Sequence, residues 1–281
     1  MKTFADNLLA GKEALITGGG SGLGLTMTRK FLELGGSVTI VGRTKERLEQ
    51  AAGELNAGDR LRTAVCDVRE PQQVEDVIKS LYDVDTPDIV VNNAAGNFLA
   101  ATEDLSPNAF DAVVRTVLHG TFNVTNAVGR KMIERKKGGV FLNIITTYAW
   151  TGSAFVTPSA VSKAGVLALT RSLAVEWAQY GIRMNAIAPG PFPTEGAWSR
   201  LLPTKELEEE YLSRVPMGRF GVHEEFANLA AFLVSDASPY INGDCITIDG
   251  GAWLASGGLF NNLTRMPREQ LKAALQMFRK K

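Results

Sequence analysis

A glycine-rich run between a short apolar stretch and an amphipathic one constrains this 281-residue chain more than any other feature. Residues 14–17 read as a buried strand, Thr17-Gly18-Gly19-Gly20-Ser21-Gly22-Leu23-Gly24 follows without a gap, and helical apolar spacing begins at Leu23. Glycines in such a turn admit positive φ, let the backbone approach a pyrophosphate and allow the helix to close on the strand. The helix N-terminus then offers unpaired N–H groups to the anion. A second apolar strand at residues 37–41 completes the strand, turn, helix and strand context, which makes Gly18, Gly19, Gly20, Ser21, Gly22 and Leu23 candidate cofactor contacts.

The same alternation continues along the chain. Strand-like runs at residues 14–17, 37–41, 61–65, 89–91, 140–145, 184–188 and 245–248 alternate with helical patterns at 23–34, 45–55, 71–81, 108–135, 158–180 and 224–233. Seven strands joined by right-handed helical crossovers imply an α/β fold, a Rossmann-type doubly wound parallel sheet with helices on both faces. No linker or repeat divides the chain, so residues 1–281 are expected to form a single domain. Residues 194–215 break the alternation with a charged, helix-prone stretch carrying Trp198, Leu201 and Leu202, and are expected to form a substrate lid. Residues 252–281 read as a C-terminal extension ending in a solvated amphipathic helix.

Charge and cysteine content narrow the function classes. Thirty basic and thirty acidic residues cancel, so no overall field draws nucleic acid or a membrane surface, and phosphate contacts must be local. No apolar run has the length of a membrane span. Cys66 and Cys245 lie far apart in apolar runs, as free thiols in a reducing compartment do, and His119 and His223 are isolated structural or surface residues. No metal site is expected. Residues 1–12 lack the basic start and apolar core of a signal peptide, and a cytoplasmic location is the expectation.

The cofactor follows from the end of the second strand. NAD sites place a carboxylate there to bind the ribose hydroxyls, whereas this chain reads Val41-Gly42-Arg43-Thr44-Lys45. A guanidinium at Arg43 holds an adenosine 2′-phosphate bidentately, with Lys45 as a second cation, so NADPH/NADP is expected. Asp67, directly after the third strand, is a candidate for the adenine amino group, or else a cap for the helix beginning near Pro71.

Three motifs now carry a family resemblance. Thr17-Gly-x-x-x-Gly-x-Gly24, Asn92-Asn93-Ala94-Ala95-Gly96 after the fourth strand and Pro189-Gly190 after the sixth resemble the short-chain dehydrogenase/reductase family, over residues 12–251. The usual catalytic set there is an asparagine, a serine, and a tyrosine four residues before a lysine. Lys163 matches the lysine, but Ser159 stands at the tyrosine position, Thr146 at the serine and Val117 at the asparagine. A serine hydroxyl titrates far above a phenol, so Ser159 cannot replace that tyrosine as an acid.

The run Thr146-Thr147-Tyr148-Ala149-x-Thr151-Gly152-Ser153, then Phe155-Val156-x-Pro158-Ser159-Ala160 and Lys163, resembles the 2,4-dienoyl-CoA reductase branch, where this departure is the rule. Asn97-Phe98 after the Asn-Asn-Ala-Ala-Gly motif, Thr194 to Leu201 after Pro189-Gly-Pro, and Gly258-x-Phe260-Asn261-x-Leu263 agree. Mitochondrial-type members keep a catalytic tyrosine on the loop after the fifth strand, which matches Tyr148 here; a bacterial relative of that type fits best.

The resemblance implies NADPH-dependent reduction of 2,4-dienoyl-CoA thioesters to 3-enoyl-CoA, a reaction of unsaturated fatty acid β-oxidation. It makes Tyr148 and Asn97 donors to the thioester oxygen, Lys163 the holder of the nicotinamide ribose, and Ser159, with Thr146, a support for the network. Thr194 would bind the carboxamide, with Pro189, Gly190, Pro191 and Phe192 lining that end. Arg69, Phe98, Ser106 and Arg200 match positions used for the acyl-CoA. The helix at 158–180 resembles the family's dimer-forming helix and implies a homotetramer. Independently of any resemblance, Tyr148 lies just past the carboxyl end of a strand, where open α/β sheets place ligands. Two rivals remain at this point: a reductase of carbonyls, ketoacyl thioesters or sugars, and a catalytically idle NADPH-binding module.

Overall fold

The computed structural model describes residues 3–83, 85–194 and 204–279. Its seven strands are β1 (Glu13–Thr17), β2 (Ser37–Gly42), β3 (Leu61–Val65), β4 (Ile89–Asn92), β5 (Gly139–Ile144), β6 (Ile182–Pro189) and β7 (Cys245–Ile248). All pair in parallel, in the order β3-β2-β1-β4-β5-β6-β7. The expected doubly wound seven-stranded sheet is therefore the observed one. Central strands are buried on both faces, which is why β1 and β4 read as continuous apolar runs, while β3 at the edge is mostly exposed. The strand order reverses between β1 and β4, and the crevice at their carboxyl ends is where such sheets bind ligands.

Helices α1 (Gly22–Glu33), α2 (Lys45–Leu55), α3 (Pro71–Leu81), α4 (Pro107–Val114) and α5 (Gly120–Glu134) occupy the first half of the chain. They are followed by α6 (Tyr148–Thr151), α7 (Thr157–Glu176), α8 (Lys205–Ser213), α9 (His223–Val234), α10 (Ala252–Gly257) and α11 (Arg268–Arg279). One apolar cluster packs α1 and α9 on one face of the sheet through Met27, Phe31, Phe226 and Ala230. Another packs α3 and α5 on the opposite face through Val74, Ile78, Val124 and Val128. Among the described residues no helix is long and apolar enough to cross a membrane.

Two departures from the sequence expectation bear on the site. The helix expected over residues 108–135 is interrupted by a π-turn at Arg115–His119, onto which Thr121 Oγ1 of α5 donates, to the Val117 carbonyl at 2.7 Å. A π-turn inserts one residue per turn, which apolar spacing does not register. The one-turn helix α6 was not anticipated either, because four residues carry no periodicity. Inside the core, Asn92 Nδ2 donates to Asn143 Oδ1 at 2.8 Å and to Thr125 Oγ1 at 3.0 Å, and Asn143 Nδ2 donates to Thr170 Oγ1 at 2.8 Å. This buried polar ladder fixes β4, β5, α5 and α7 in one register directly beneath the crevice.

Candidate active site

The glycine turn is shaped for a close-lying ligand. Gly18 has φ +66°, and a Cβ on Gly24 would lie 2.2 Å from the Gly18 carbonyl oxygen, so helix α1 can approach the turn only without side chains at these points. Ser21 is the N-cap of α1 in extended conformation and spends no hydroxyl bond on capping. Asn93 holds the turn from β4: its Nδ2 donates to the carbonyls of Thr17 at 3.1 Å and Gly18 at 3.2 Å, while Thr17 Oγ1 accepts from the Asn93 and Ala94 N–H groups, both at 3.0 Å. Beside it opens a cavity of about 270 Å³ lined by Gly18, Gly20, Ser21, Arg43, Asp67 and Ala94 among others. The bare backbone, the helix N-terminus and the adjacent cation fit a dinucleotide.

At the end of this cavity next to β2, Arg43 is exposed on the wall. Lys45, the second expected cation, pairs with Glu49 at 3.5 Å across one exposed helical turn. Asp67 does not cap α3, whose N-cap is Glu70. Its carboxylate is instead gripped by Arg69, with Nε at 2.9 Å from both oxygens and Nη2 at 2.5 Å. That guanidinium holds the Asp67 carboxyl below the usual carboxylate range and keeps it ionised. Arg69, expected on the acyl-CoA, is thus paired with a residue that lines the same cavity as Arg43.

At the other end, Gly22 faces Thr194, with the Thr194 Cγ2 3.6 Å from where a Cβ would stand. Gly190 lies against Asp249 so closely that a Cβ would meet the Asp249 Cβ at 2.4 Å. His223 is structural, as expected: its ring bridges the Pro193 carbonyl at 2.6 Å and Thr26 of α1 at 3.3 Å, tying residues 193 and 194 to the helix above the glycine turn.

The polar centre lies between these ends. Tyr148 opens α6 just after β5; its hydroxyl is 2.9 Å from Ser159 Oγ and accepts from Asn97 Nδ2 at 3.4 Å. Ser159 is buried in the first turn of α7, and Lys163 follows one turn later on the same face. Burial raises the Tyr148 pKa above that of a free phenol, with Ser159 and Thr146 opposing, so the hydroxyl keeps its proton at neutral pH. The arrangement joins loop 93–101, α6 and α7 around one protonated phenol.

Lys163 is 7% exposed, and its ammonium donates to the Ile144 carbonyl. Burial without a compensating carboxylate pulls its pKa down to about 8. Between that value and the ordinary 10.5 the unfolded chain retains a proton that the folded chain has released, so the stability of the ligand-free protein rises with pH across the window. Lys163→Met removes this contribution. In urea titrations from pH 8 to pH 10.5 the wild type should therefore gain up to about 3 kcal/mol on the variant. Parallel curves would show that the ammonium is not destabilised by burial.

The expected substrate contacts are more scattered. Phe98 is partly exposed beside Asn97, whose Oδ1 accepts the Phe98 N–H at 2.9 Å. Ser106 is the N-cap of α4 and accepts from the Ala109 N–H at 3.2 Å, a role that Ser106-Pro107 signals in the sequence. Arg200, Trp198, Leu201 and Leu202 lie outside the described residues. The rest of the expected lid includes α8, and Met217 N–H returns to the Gly250 carbonyl at 3.2 Å. Phe155 is 60% exposed and holds φ +64°, an unusual conformation for a bulky residue, while its carbonyl accepts the Ala100 N–H at 3.0 Å. A larger cavity of about 620 Å³ opens at the opposite, amino ends of the strands, where Lys12 pairs with Asp236 and Arg183 binds carbonyls; no candidate site residue lines it.

Sequence reasoning missed Asn93 as the brace of the glycine turn, Asp249 as the contact of Gly190, and Tyr211 of α8. Burial, then Asp249 and finally Tyr148 raise the Tyr211 pKa, with Arg214 opposing, which brings α8 electrostatically near the centre. Asn93 stands inside the Asn-Asn-Ala-Ala-Gly motif, yet its partners Thr17 and Gly18, like Gly190 for Asp249 and Tyr148 for Tyr211, lie at long sequence separations that the motif does not reveal.

Known proteins resemble this chain over most of its length. Residues 18–252 match the family described as Enoyl-(Acyl carrier protein) reductase. A probable 2,4-dienoyl-CoA reductase of Bacillus subtilis, described as (2E)-enoyl-CoA-producing, is 47% identical over 246 residues, covering 86% of this chain and 97% of its own. Probable 2,4-dienoyl-CoA reductase 3 of Caenorhabditis elegans, described as (3E)-enoyl-CoA-producing, is 46% identical over 252 residues, 88% of this chain and 82% of its own. Among solved structures, a gluconate 5-dehydrogenase from Burkholderia cenocepacia in complex with NADP and tartrate superposes with a TM-score of 0.82 at 36% identity, covering 89% of this chain and 98% of its own.

Proposed function

This chain belongs to the short-chain dehydrogenase/reductase family of oxidoreductases, and from that premise we propose that it is an NADPH-dependent reductase of 2,4-dienoyl-CoA thioesters. One observation carries the reading: the position four residues before Lys163 is Ser159, and the phenol that meets this serine comes instead from Tyr148 on the loop after β5. Preference for NADPH rests on Arg43 and on the absence of an acid at the end of β2.

The glycine turn with Ser21 and Arg43 would hold NADPH, which would supply a hydride to the far end of the conjugated diene. The electron pair displaced through the carbons collects on the thioester oxygen, where Tyr148 and Asn97 donate hydrogen bonds to the developing dienolate. Ser159 accepts from or donates to Tyr148 and keeps the phenol aimed. Lys163, held by the Ile144 carbonyl, supports the ribose side and contributes a fixed dipole or charge beneath it. A proton delivered to the α carbon then gives the 3-enoyl-CoA. Delivery to the γ carbon gives the 2-enoyl isomer, and the two relatives differ in this respect by description. We assign α protonation here, with the reaction serving unsaturated fatty acid β-oxidation in the cytoplasm. Exposed Phe122 on α5 and Val161 and Val175 on α7 support assembly with further copies, by our reading a homotetramer.

The test is loss of NADPH absorbance on a panel of 2,4-dienoyl-CoA, ketoacyl-CoA and sugar-acid substrates, with the product double bond located by NMR. Turnover confined to dienoyl-CoA, with a Δ3 product, is expected. Turnover of carbonyl substrates alone would restore the carbonyl-reductase reading, and no turnover with tight cofactor binding would favour the idle module.

A further inference from the structure

Tyr148 stands on a single helical turn, and one turn makes too few internal hydrogen bonds to hold itself in place. Those of α6 are closed by the Trp150 N–H on the Thr147 carbonyl at 3.2 Å and the Gly152 N–H on the Tyr148 carbonyl at 3.1 Å, and the turn ends at Gly152 with φ +68°. Its hydroxyl must nonetheless stay within reach of Ser159 and Asn97. The support comes from outside the turn. Trp150, two residues beyond Tyr148, meets Trp253 of α10 edge to face, with ring centroids 5.6 Å apart and planes at 80°. Such pairs are directional, so they fix orientation as well as distance.

Trp253 is itself anchored. Its backbone N–H donates to Asp249 Oδ2 at 2.8 Å, and the Gly251 backbone N–H donates to Oδ1 of the same carboxylate at 2.8 Å. Asp249 abuts Gly190 in the segment expected to line the nicotinamide, and the stretch following α8 packs over Gly250 through Val215 and Met217. The Asp249 carboxylate therefore ties the end of β7 to the start of α10, and Trp253 carries that position to α6 through two indole rings. We propose that Trp253 is a positioning residue for Tyr148, acting through Trp150, so that the segment after β7 sets the aim of the proton donor. The kinetic arm of its test rests on the proposed dienoyl-CoA reduction; the exchange arm does not.

In the full-length protein, Trp253→Ala should lower kcat for dienoyl-CoA about tenfold with NADPH affinity unchanged, and Trp253→Phe, which keeps an aromatic edge, should recover most of it. In a Tyr148→Phe background the same alanine substitution should cost nothing further, because the group it orients is gone. Equal losses in both backgrounds would overturn the proposal, since a general structural defect adds to any other. Independently of turnover, amide exchange at residues 149–152 should rise about tenfold in Trp253→Ala and to the same extent in Trp150→Ala, with melting temperatures within a few degrees of wild type. Unchanged exchange in both variants overturns the brace. Raised exchange in a chain whose wild type fails to reduce dienoyl thioesters supports the brace and overturns the substrate reading alone.

Discussion

Replacing Tyr148 by phenylalanine should lower kcat for 2,4-dienoyl-CoA reduction by about two to three orders of magnitude while leaving NADPH affinity nearly unchanged. The ring and its packing survive, and only the hydroxyl between Ser159 at 2.9 Å and Asn97 at 3.4 Å is lost. Burial keeps this phenol protonated, so under the proposed function it would serve as a preorganised donor to the thioester oxygen, and a donor aimed at developing charge typically contributes about 3 to 4 kcal/mol. Ser159→Ala should cost far less, about tenfold, since it removes a support and leaves both donors in place. Steady-state kinetics of the two variants, with cofactor binding measured separately, decide the order. Full activity in the phenylalanine variant, or a larger loss in the serine variant, would dismiss Tyr148 as the donor.

Arg43→Asp should reverse the cofactor preference. The guanidinium stands exposed on the cavity that begins at the glycine turn, where the 2′-phosphate of NADPH would meet two parallel N–H donors. Removing charge-assisted bonds of about 1.5 to 3 kcal/mol each, and adding repulsion from a carboxylate, should weaken NADPH by at least about a hundredfold. NADH should bind equally well or better, since the new carboxylate can accept from the ribose hydroxyls. Fluorescence titration of both cofactors measures this. Equal affinities for NADH and NADPH in the unmodified protein would remove the assignment, and Lys45, already paired with Glu49, would not rescue it.

The resemblance places Arg69 and Ser106 on the acyl-CoA, and in the structure each also makes a local contact, Arg69 with Asp67 and Ser106 as the N-cap of α4. In each case a nearby partner was visible in the sequence, at two residues' distance for Arg69 and in the Ser-Pro pair for Ser106. A hydrogen bond formed within a few residues costs little chain entropy, so it competes effectively with a ligand contact formed later.

By itself the sequence determined the sheet, the glycine cradle, the absence of an acid at the end of β2, and the exchange of tyrosine for Ser159. Each is a local property: apolar spacing set by burial on one or two faces, a φ that needs glycine, or a residue type at a fixed offset. Tertiary structure alone decided that Asn93 clamps the turn from β4, that a π-turn replaces a regular helix around Val117, and that Tyr148 meets Ser159 across eleven residues. It likewise decided that Trp253 reaches Trp150. These contacts join segments whose separation the sheet order sets, and no periodicity within one segment encodes which side chain of a distant one it will face once both are packed.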